Sequence, residues 1–188
     1  QQYYSTASYS NIYGNNYFAQ SFKPSSNILS GIMLYLYRTS TPLDHLYIEI
    51  RKSNGSYPDM SSYGIITSGR IDFGRVNDIT SAQWFDCIFD QPAYLNTSET
   101  YWIVVYSTYS TSSNYWRWYR STTDGYPNGT AASSTNGGIT WTIQPWDFSF
   151  RTYSYKDERP AVAWFYMYLT IEYEFSNILF LRCRPNTD

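Results

Sequence analysis

Two glutamates near the end of the chain have a spacing that could support acid–base chemistry. Glu172 and Glu174 alternate along a strand-like stretch, so they share a face with about 7 Å between them. That separation lies within the range of glycosidase carboxylate pairs. Such a site also needs a cleft that raises the pKa of one carboxyl group, which two solvent-facing neighbours rarely provide. We therefore expect this pair to protect the strand against random edge pairing.

Other residue types that support catalysis are scarce. His45 is the only histidine, so a Ser-His-Asp triad or a histidine-rich metal site would depend on it alone. It follows Asp44 at the start of a strand-like run, which is typical of an ordinary surface position. The sequence contains no glycine-rich phosphate loop, no CxxC pair and no Ca²⁺ loop signature. The chain is therefore predicted not to be an enzyme and to need no cofactor or metal.

Flat aromatic side chains offer a different chemistry, the binding of sugars. An aromatic ring presents a large apolar face with a polar edge, and such faces stack on sugar rings. The candidate residues are Trp116, Trp118, Tyr119, Trp141 and Trp146. Alternate aromatic residues on a strand more often build a core, so a sugar site and a core both remain open for them.

The composition indicates which elements must position these residues. Hydrophobic residues make up 43% of the 188 residues and aromatic residues 21%, a composition typical of strands. Charged residues reach 15% and the formal net charge is −2, so no basic stripe exists to bind nucleic acid. No window of about eighteen residues is apolar and uncharged, so we expect no transmembrane helix. The chain starts at Gln1 without a signal peptide or initiator Met, which predicts a processed or trimmed form.

Glycosylation sequons and cysteines favour an exported protein. The sequons begin at Asn54, Asn96 and Asn128, each in a predicted turn. Cys87 and Cys183 are the only cysteines. Outside the cell a bridge between them would close a loop of about 96 residues and contribute about 4 kcal/mol in the chain-entropy model. Two buried thiols are the alternative. We expect an extracellular, cell-surface or virion-surface location.

Short strand-like runs recur from Tyr17 onward at intervals of about 8–14 residues, with turn residues between them. No segment has a helical period over about ten residues. Leu46, Ile48 and Ile50 alternate with polar residues, which indicates a half-solvated strand. Residues 101–106 are apolar on both faces, which suits a central strand or one covered by a partner. Two packed antiparallel sheets account for this pattern most simply.

The order of these runs resembles a known family. The segments that carry the resemblance are FAQSFKPSSN, GIMLYLYR, LYIEIRKSNGSYP, a spaced G-R-I, PAYL, TYWIVVYS, YWRW, GITWT and DFSFRTY. They are similar to secreted jelly-roll modules of the galactose-binding-like type, which occur in prokaryotic surface proteins and viral appendages. The resemblance covers residues 17–153 and implies a jelly-roll β-sandwich that closes near Tyr153. Some relatives in that family bind carbohydrate, which supports a sugar site.

The predicted organisation has four parts. Residues 1–16 form a flexible or docking arm, residues 17–153 the sandwich, residues 154–160 a linker and residues 161–188 a C-terminal strand extension. The expected fold is therefore all-β, a two-sheet antiparallel jelly-roll sandwich with a long extra C-terminal strand.

The extension begins with a strand-like stretch, residues 161–175, about three times the usual strand length. Its side chains sort by parity into an apolar side and a side that is first aromatic and then acidic. The candidate assembly residues are Phe165, Met167, Leu169, Ile171, Tyr173 and Phe175 on one side, and Trp164, Tyr166 and Tyr168 on the other. Such a strand can complete the sheet of a neighbouring copy. The N-terminal arm is a rival donor, and a hairpin folded back on its own sandwich is the alternative.

The main functional prediction is a non-enzymatic extracellular structural subunit that assembles with copies of itself. Strand exchange and aromatic interfaces would build a filament, a pilus-like appendage or a viral surface layer, and head-to-tail donation leaves the polymer open unless it closes into a ring. The alternative is a carbohydrate-binding jelly-roll module that stacks sugars on exposed Trp and Tyr. The expected partners are copies of the chain and possible glycans, with no nucleic acid and no membrane span.

Overall fold

The fold is built almost entirely from β-strands. A computed structural model of the chain describes residues 1–76 and 81–154. The strands are β1 (Gln2–Tyr3), β2 (Ser8–Ile12), β3 (Tyr17–Phe22), β4 (Ile28–Thr39), β5 (Leu46–Asn54), β6 (Tyr57–Pro58), β7 (Ile65–Ile71), β8 (Gln83–Tyr94), β9 (Tyr101–Tyr106), β10 (Tyr115–Arg120), β11 (Ala131–Ser134), β12 (Thr142–Gln144) and β13 (Phe150–Tyr153). Short 3₁₀ turns at Ser62–Gly64 and Phe73–Val76 flank β7.

The strands form two antiparallel sheets that pack face to face. The first sheet has the order β1-β13-β4-β10-β2, and β8 pairs with the other side of β4. The second sheet has the order β12-β11-β3-β9-β5-β6, and β7 pairs with β5. This arrangement confirms the prediction of an all-β fold with two antiparallel sheets. It is consistent with a jelly-roll-like fold.

The core lies between the sheets and follows from the alternation of side chains along each strand. On β5, Leu46, Ile48 and Ile50 are fully buried, as their alternation with polar residues predicts. Strand β9, residues 101–106, lies between β3 and β5, so its apolar character on both faces reflects a central position. Each large apolar side chain buried in this way contributes about 1.5–3 kcal/mol.

One side of the sandwich is closed by the approach of β7 to β8. A Cβ atom added to Gly69 on β7 would lie 2.6 Å from the Sγ atom of Cys87 on β8. The two strands can come this close because Gly69 has no side chain. The Thr67 hydroxyl also donates a hydrogen bond of 3.3 Å to the backbone carbonyl of Gln91. Cys87 is 1% exposed and belongs to the core.

The N-terminal residues belong to the first sheet, which corrects the prediction of an arm over residues 1–16. Strand β2 pairs with β10 over its five residues, and β1 pairs with β13. The Thr152 amide also donates to the backbone carbonyl of Gln1 at 2.7 Å. Strand β2 has little apolar alternation because Ser10 precedes Ile12 on the inward face. Backbone hydrogen bonds, which the sequence pattern does not reveal, hold this segment in the sheet.

The C-terminal parts of the predicted organisation lie outside the described residues. Of the predicted linker, residues 154–160, only Ser154 is described. The predicted strand extension, residues 161–188, is not described, and neither are Glu172, Glu174 and Cys183.

A buried polar network fastens the loop after β10 to the sandwich. Asp147 is fully buried, and its Oδ2 atom accepts hydrogen bonds from the amides of Gly125 and Tyr126 at 2.8 and 2.9 Å. Its Oδ1 atom accepts one from the Gln20 side-chain amide at 3.0 Å, while the Gln20 carbonyl accepts from the Phe148 amide at 2.8 Å. Desolvation raises the pKa of Asp147, and the three donors oppose that shift.

We expect Asp147→Asn to lower the free energy of unfolding by about 1–3 kcal/mol. The new amide group must face either the Gln20 amide or the two backbone amides, and Gln20 cannot rotate because Phe148 occupies its carbonyl. Urea unfolding followed by fluorescence measures the loss. Asp124→Asn changes an exposed residue of the same loop and should stay within about 0.5 kcal/mol of the parent. Equal stability of the two variants would contradict a fastening role for the network.

Candidate functional site

The outer face of the first sheet carries many aromatic residues and two arginines. Alternate residues of β4 and β10 point into the core and are fully buried: Leu34 and Leu36 on β4, and Trp116 and Trp118 on β10. The residues that alternate with them on each strand therefore point outward. We call this surface the aromatic–arginine face. It is formed by Tyr4, Tyr9, Tyr35, Tyr37, Trp84, Tyr115, Arg117, Tyr119 and Arg151. Most of these side chains are half-buried, and Tyr4 and Tyr9 are exposed.

The aromatic rings of this face meet at steep or tilted angles, and Tyr4 and Trp84 meet at 38°. Tyr35 is the centre of the cluster, with ring-centroid distances of 5.0 Å to Tyr4, 5.3 Å to Trp84 and 5.5 Å to Tyr119. The interplanar angles in these pairs are 80°, 69° and 77°. Tyr9 meets Tyr119 at 60°. The rings therefore form a corrugated surface and not a flat platform.

The two arginines of the face lie over aromatic rings. The Arg117 guanidinium carbon lies 4.4 Å from the centre of the Tyr9 ring, and that of Arg151 lies 4.0 Å from Trp84. These are cation–π distances. The hydrogen bond from Arg117 to the Tyr115 hydroxyl lowers the pKa of Tyr115.

The arginines also retain unused capacity for an acidic partner. In residues 1–76 and 81–154, neither Arg117 nor Arg151 forms a salt bridge with a carboxylate, and the Nε atom of each has no hydrogen-bond partner. Asp86 is the acidic residue of β8 on this face, separated from Arg151 by Met33 in the cross-strand row. The face therefore carries two cationic groups among aromatic rings.

The outer face of the second sheet carries a ladder of stacked tyrosines. Tyr17 on β3 stacks on Tyr106 on β9 at 4.6 Å and 10°, and Tyr106 stacks on Tyr47 on β5 at 5.4 Å and 20°. Beside the ladder, Glu49 accepts hydrogen bonds from the Tyr106 hydroxyl at 2.9 Å and from Arg51 Nε at 2.6 Å. Burial and the neighbouring carboxylate of Glu49 raise the pKa of Tyr106.

A polar groove lies next to this tyrosine ladder. Its lining includes Tyr47, Glu49, Ser68, Arg70 and Asp72. Arg70 and Asp72 form a salt bridge of 3.0 Å. An aromatic ring beside carboxylate, guanidinium and hydroxyl groups has the chemistry to hold a polyol.

The five predicted sugar-binding residues do not form one site. Trp116 and Trp118 are 0% exposed, so the prediction that they stack on sugars is wrong. Their indole N–H groups donate to the backbone carbonyls of Asp44 and Ser149 at 3.2 and 2.8 Å. Both therefore function as core residues whose polar groups are satisfied.

The other three aromatic candidates are half-buried and lie apart. Trp146 packs against Phe148, and Trp141 packs on the outer side of the second sheet. Tyr119 belongs to the aromatic–arginine face of the first sheet. In the stretch YWRWY, the pattern alone does not say which aromatic residues turn inward.

The predicted glycosylation sites are all exposed. Asn54 lies at the end of β5, Asn96 between β8 and β9, and Asn128 between β10 and β11. His45 contacts Asp72 at 3.0 Å and the Phe73 ring. Sequence reasoning missed the aromatic–arginine face. Its signal was the outward half of the alternation in YLY and YWRWY.

The described residues define an all-β sandwich protein with a corrugated aromatic–arginine face. No protein-family model matches the chain, and no curated protein matches it. Within residues 1–76 and 81–154, no helix is long and apolar enough to span a bilayer. In the same part of the chain, no three His, Cys, Asp or Glu side chains cluster in a way that could hold a metal ion.

We expect Trp118→Ala to lower the free energy of unfolding by about 3–5 kcal/mol, because the ring is fully buried. It stacks on Phe148 at 4.0 Å and 14°, so its removal leaves a cavity. Guanidinium unfolding of the full chain measures the loss. Trp84→Ala is the matched control, since Trp84 is only half-buried on the outer face and should cost clearly less. A Trp118→Ala variant as stable as the parent would contradict this assignment to the core.

Proposed function

We propose that the chain is a non-enzymatic extracellular structural subunit that associates with copies of itself. The assembly would be a filament, a pilus-like appendage or a viral surface layer built from secreted jelly-roll modules. The aromatic–arginine face carries this proposal. Tyr, Trp and Arg are the residue types most enriched at the energetic centres of protein interfaces. This face brings seven Tyr and Trp side chains and two arginines together, beside Asn11, Met33 and Asp86.

The geometry of the face supports a protein partner over a sugar. Tyr35 meets its neighbours Tyr4, Trp84 and Tyr119 at steep angles, so the rings do not share a plane. A corrugated surface suits interdigitation with side chains, whereas a flat ring face suits stacking on a sugar. The rings already support each other before binding, which reduces the entropy lost when a partner docks.

The termini support donation from the C-terminal end. The sequence left open whether the N-terminal or the C-terminal segment is exchanged. Strands β1 and β2 pair with β13 and β10 of their own chain, so the N-terminal residues already have partners. The proposed donor is therefore the stretch of residues 161–175, with the candidate assembly residues named above.

The exposed sequons support the extracellular part of the proposal. Asn54, Asn96 and Asn128 lie at strand ends and loops, where a glycan has room. None of them belongs to the aromatic–arginine face. Glycans at these positions would leave that face accessible to a partner.

We expect Tyr35→Ala combined with Tyr119→Ala to weaken self-association of the full chain by about 30-fold or more. That factor corresponds to about 2 kcal/mol, the usual threshold for an interface hot spot. Sedimentation velocity over a concentration series measures the association, and circular dichroism confirms folding. Tyr63→Ala is the matched control, because Tyr63 is 87% exposed and lies outside the face. A folded double variant that assembles as the parent does would contradict the proposal.

A second candidate function is glycan binding at the groove beside the tyrosine ladder. One face of Tyr47 stacks on Tyr106, and Glu49, Ser68 and Arg70 supply polar groups nearby. This relocates the carbohydrate-binding alternative from Trp116 and Trp118 to the second sheet.

On this second candidate, a glycan array should give binding by the parent chain that Tyr47→Ala reduces by about tenfold. The loss follows from removing a ring that lines the groove and lies opposite Arg70 in the sheet. Tyr57→Ala provides the control, because Tyr57 is an exposed tyrosine outside this groove. An array without any signal for the parent chain would dismiss glycan binding at this groove.

A further inference from the structure

We propose that the aromatic–arginine face of one copy receives residues 161–175 of the next copy, with Glu172 and Glu174 placed against Arg117 and Arg151. The contact rests on the self-association proposed above and specifies the two surfaces that meet. Its occupant is the C-terminal segment of a second copy of this chain.

The two arginines of the acceptor side form no salt bridge with a carboxylate of residues 1–76 and 81–154. Arg117 and Arg151 both lie over aromatic rings. Strand pairing places Arg117 opposite Tyr37 and Arg151 opposite Met33. These positions are four residues apart on β4, which corresponds to about 13 Å along the strand.

The donor side carries the complementary charge. Residues 161–175 contain Glu172 and Glu174 and no Lys or Arg. In an extended chain these two glutamates share a side with Trp164, Tyr166 and Tyr168. Their Cα atoms would be about 7 Å apart. The Glu and Arg side chains are long enough to make up the difference between the glutamate spacing of about 7 Å and the arginine spacing of about 13 Å.

Both sides of the contact combine aromatic and charged groups. The donor side is aromatic over its first half and acidic over its second, and the acceptor has arginines set among tyrosine and tryptophan rings. Contact would give the arginines the carboxylates that bidentate guanidinium binding prefers. It would also cover aromatic rings that are now partly exposed to water.

The charges favour a head-to-tail contact between copies. A symmetric contact of two aromatic–arginine faces would bring four arginines together with only two Asp86 carboxylates, so the excess of positive charge would repel. A contact between two different surfaces leaves each copy with one donor and one acceptor. Such a contact propagates into a filament unless the rotation closes a ring.

Charge reversal in the full chain tests the contact. The acceptor variant carries Arg117→Glu and Arg151→Glu, and the donor variant carries Glu172→Lys and Glu174→Lys. We expect each variant alone to associate at least about tenfold more weakly than the parent, because like charges then meet. Mixed in equal amounts, the two variants should co-assemble, since each donor then meets an acceptor of opposite charge. Sedimentation velocity and negative-stain microscopy measure both effects.

Matched controls separate this contact from general charge effects. Lys52→Glu reverses an exposed lysine near the end of β5 in the second sheet, and Asp124→Lys reverses an exposed acid in a loop. Both should associate as the parent does. A chain with all four reversals should also assemble, which shows that the acceptor substitutions leave the fold intact.

The outcomes distinguish this contact from the self-association on which it rests. A parent chain that stays monomeric at all concentrations would overturn both proposals. A parent that assembles, together with single variants that assemble equally well, would overturn this contact and leave self-association standing. The chain with all four reversals could assemble while the equal mixture of the acceptor and donor variants does not. That result would place the segment on its own chain and overturn the contact between copies.

Discussion

The burial of Trp116 and Trp118 between the two sheets is the interaction on which the surface depends. Trp118 stacks on Phe148 at 4.0 Å, and both indole N–H groups reach backbone carbonyls. These two large side chains determine the inward face of β10. Because side chains alternate along a strand, Tyr115, Arg117 and Tyr119 must then point outward. A core contact thus determines the composition of the opposite, solvent-facing side.

The two outer faces of the sandwich differ in how they are covered. On the second sheet, Ala19, Val104 and Trp102 are buried under a small cluster that includes Trp141. The turn at Gly138 packs against Met60 and Tyr17 there. On the first sheet, the described loops leave most rings of the aromatic–arginine face half-buried, and Tyr4 and Tyr9 exposed. This difference is why the proposed assembly uses the first sheet.

The pairing of the N-terminal residues and the fastening of the loop at Asp147 complete the described sandwich. Gln1 pairs with Thr152, so the first residue lies beside the last strand of the first sheet. Gln20 and Asp147 join β3 to the segment before β13 through buried hydrogen bonds. Such buried networks are costly to leave unsatisfied, so they specify one arrangement of these segments. The proposed donor, residues 161–175, therefore follows a sandwich whose first and last described strands, β1 and β13, pair with each other.

Much of the fold was predictable from the sequence, because alternation with period two and regular turn residues require strands and no helices. Leu46, Ile48 and Ile50 were identified as core from this pattern alone, and the predicted turns at Asn54, Asn96 and Asn128 are exposed. The sequence did not determine the face of each aromatic residue in YWRWY, because both halves of that alternation can be buried. It also did not reveal the pairing of residues 1–16, which depends on backbone hydrogen bonds between distant strands. Local pattern therefore determined the strands, and only the packing of the two sheets decided which aromatic residues build the core and which form the surface.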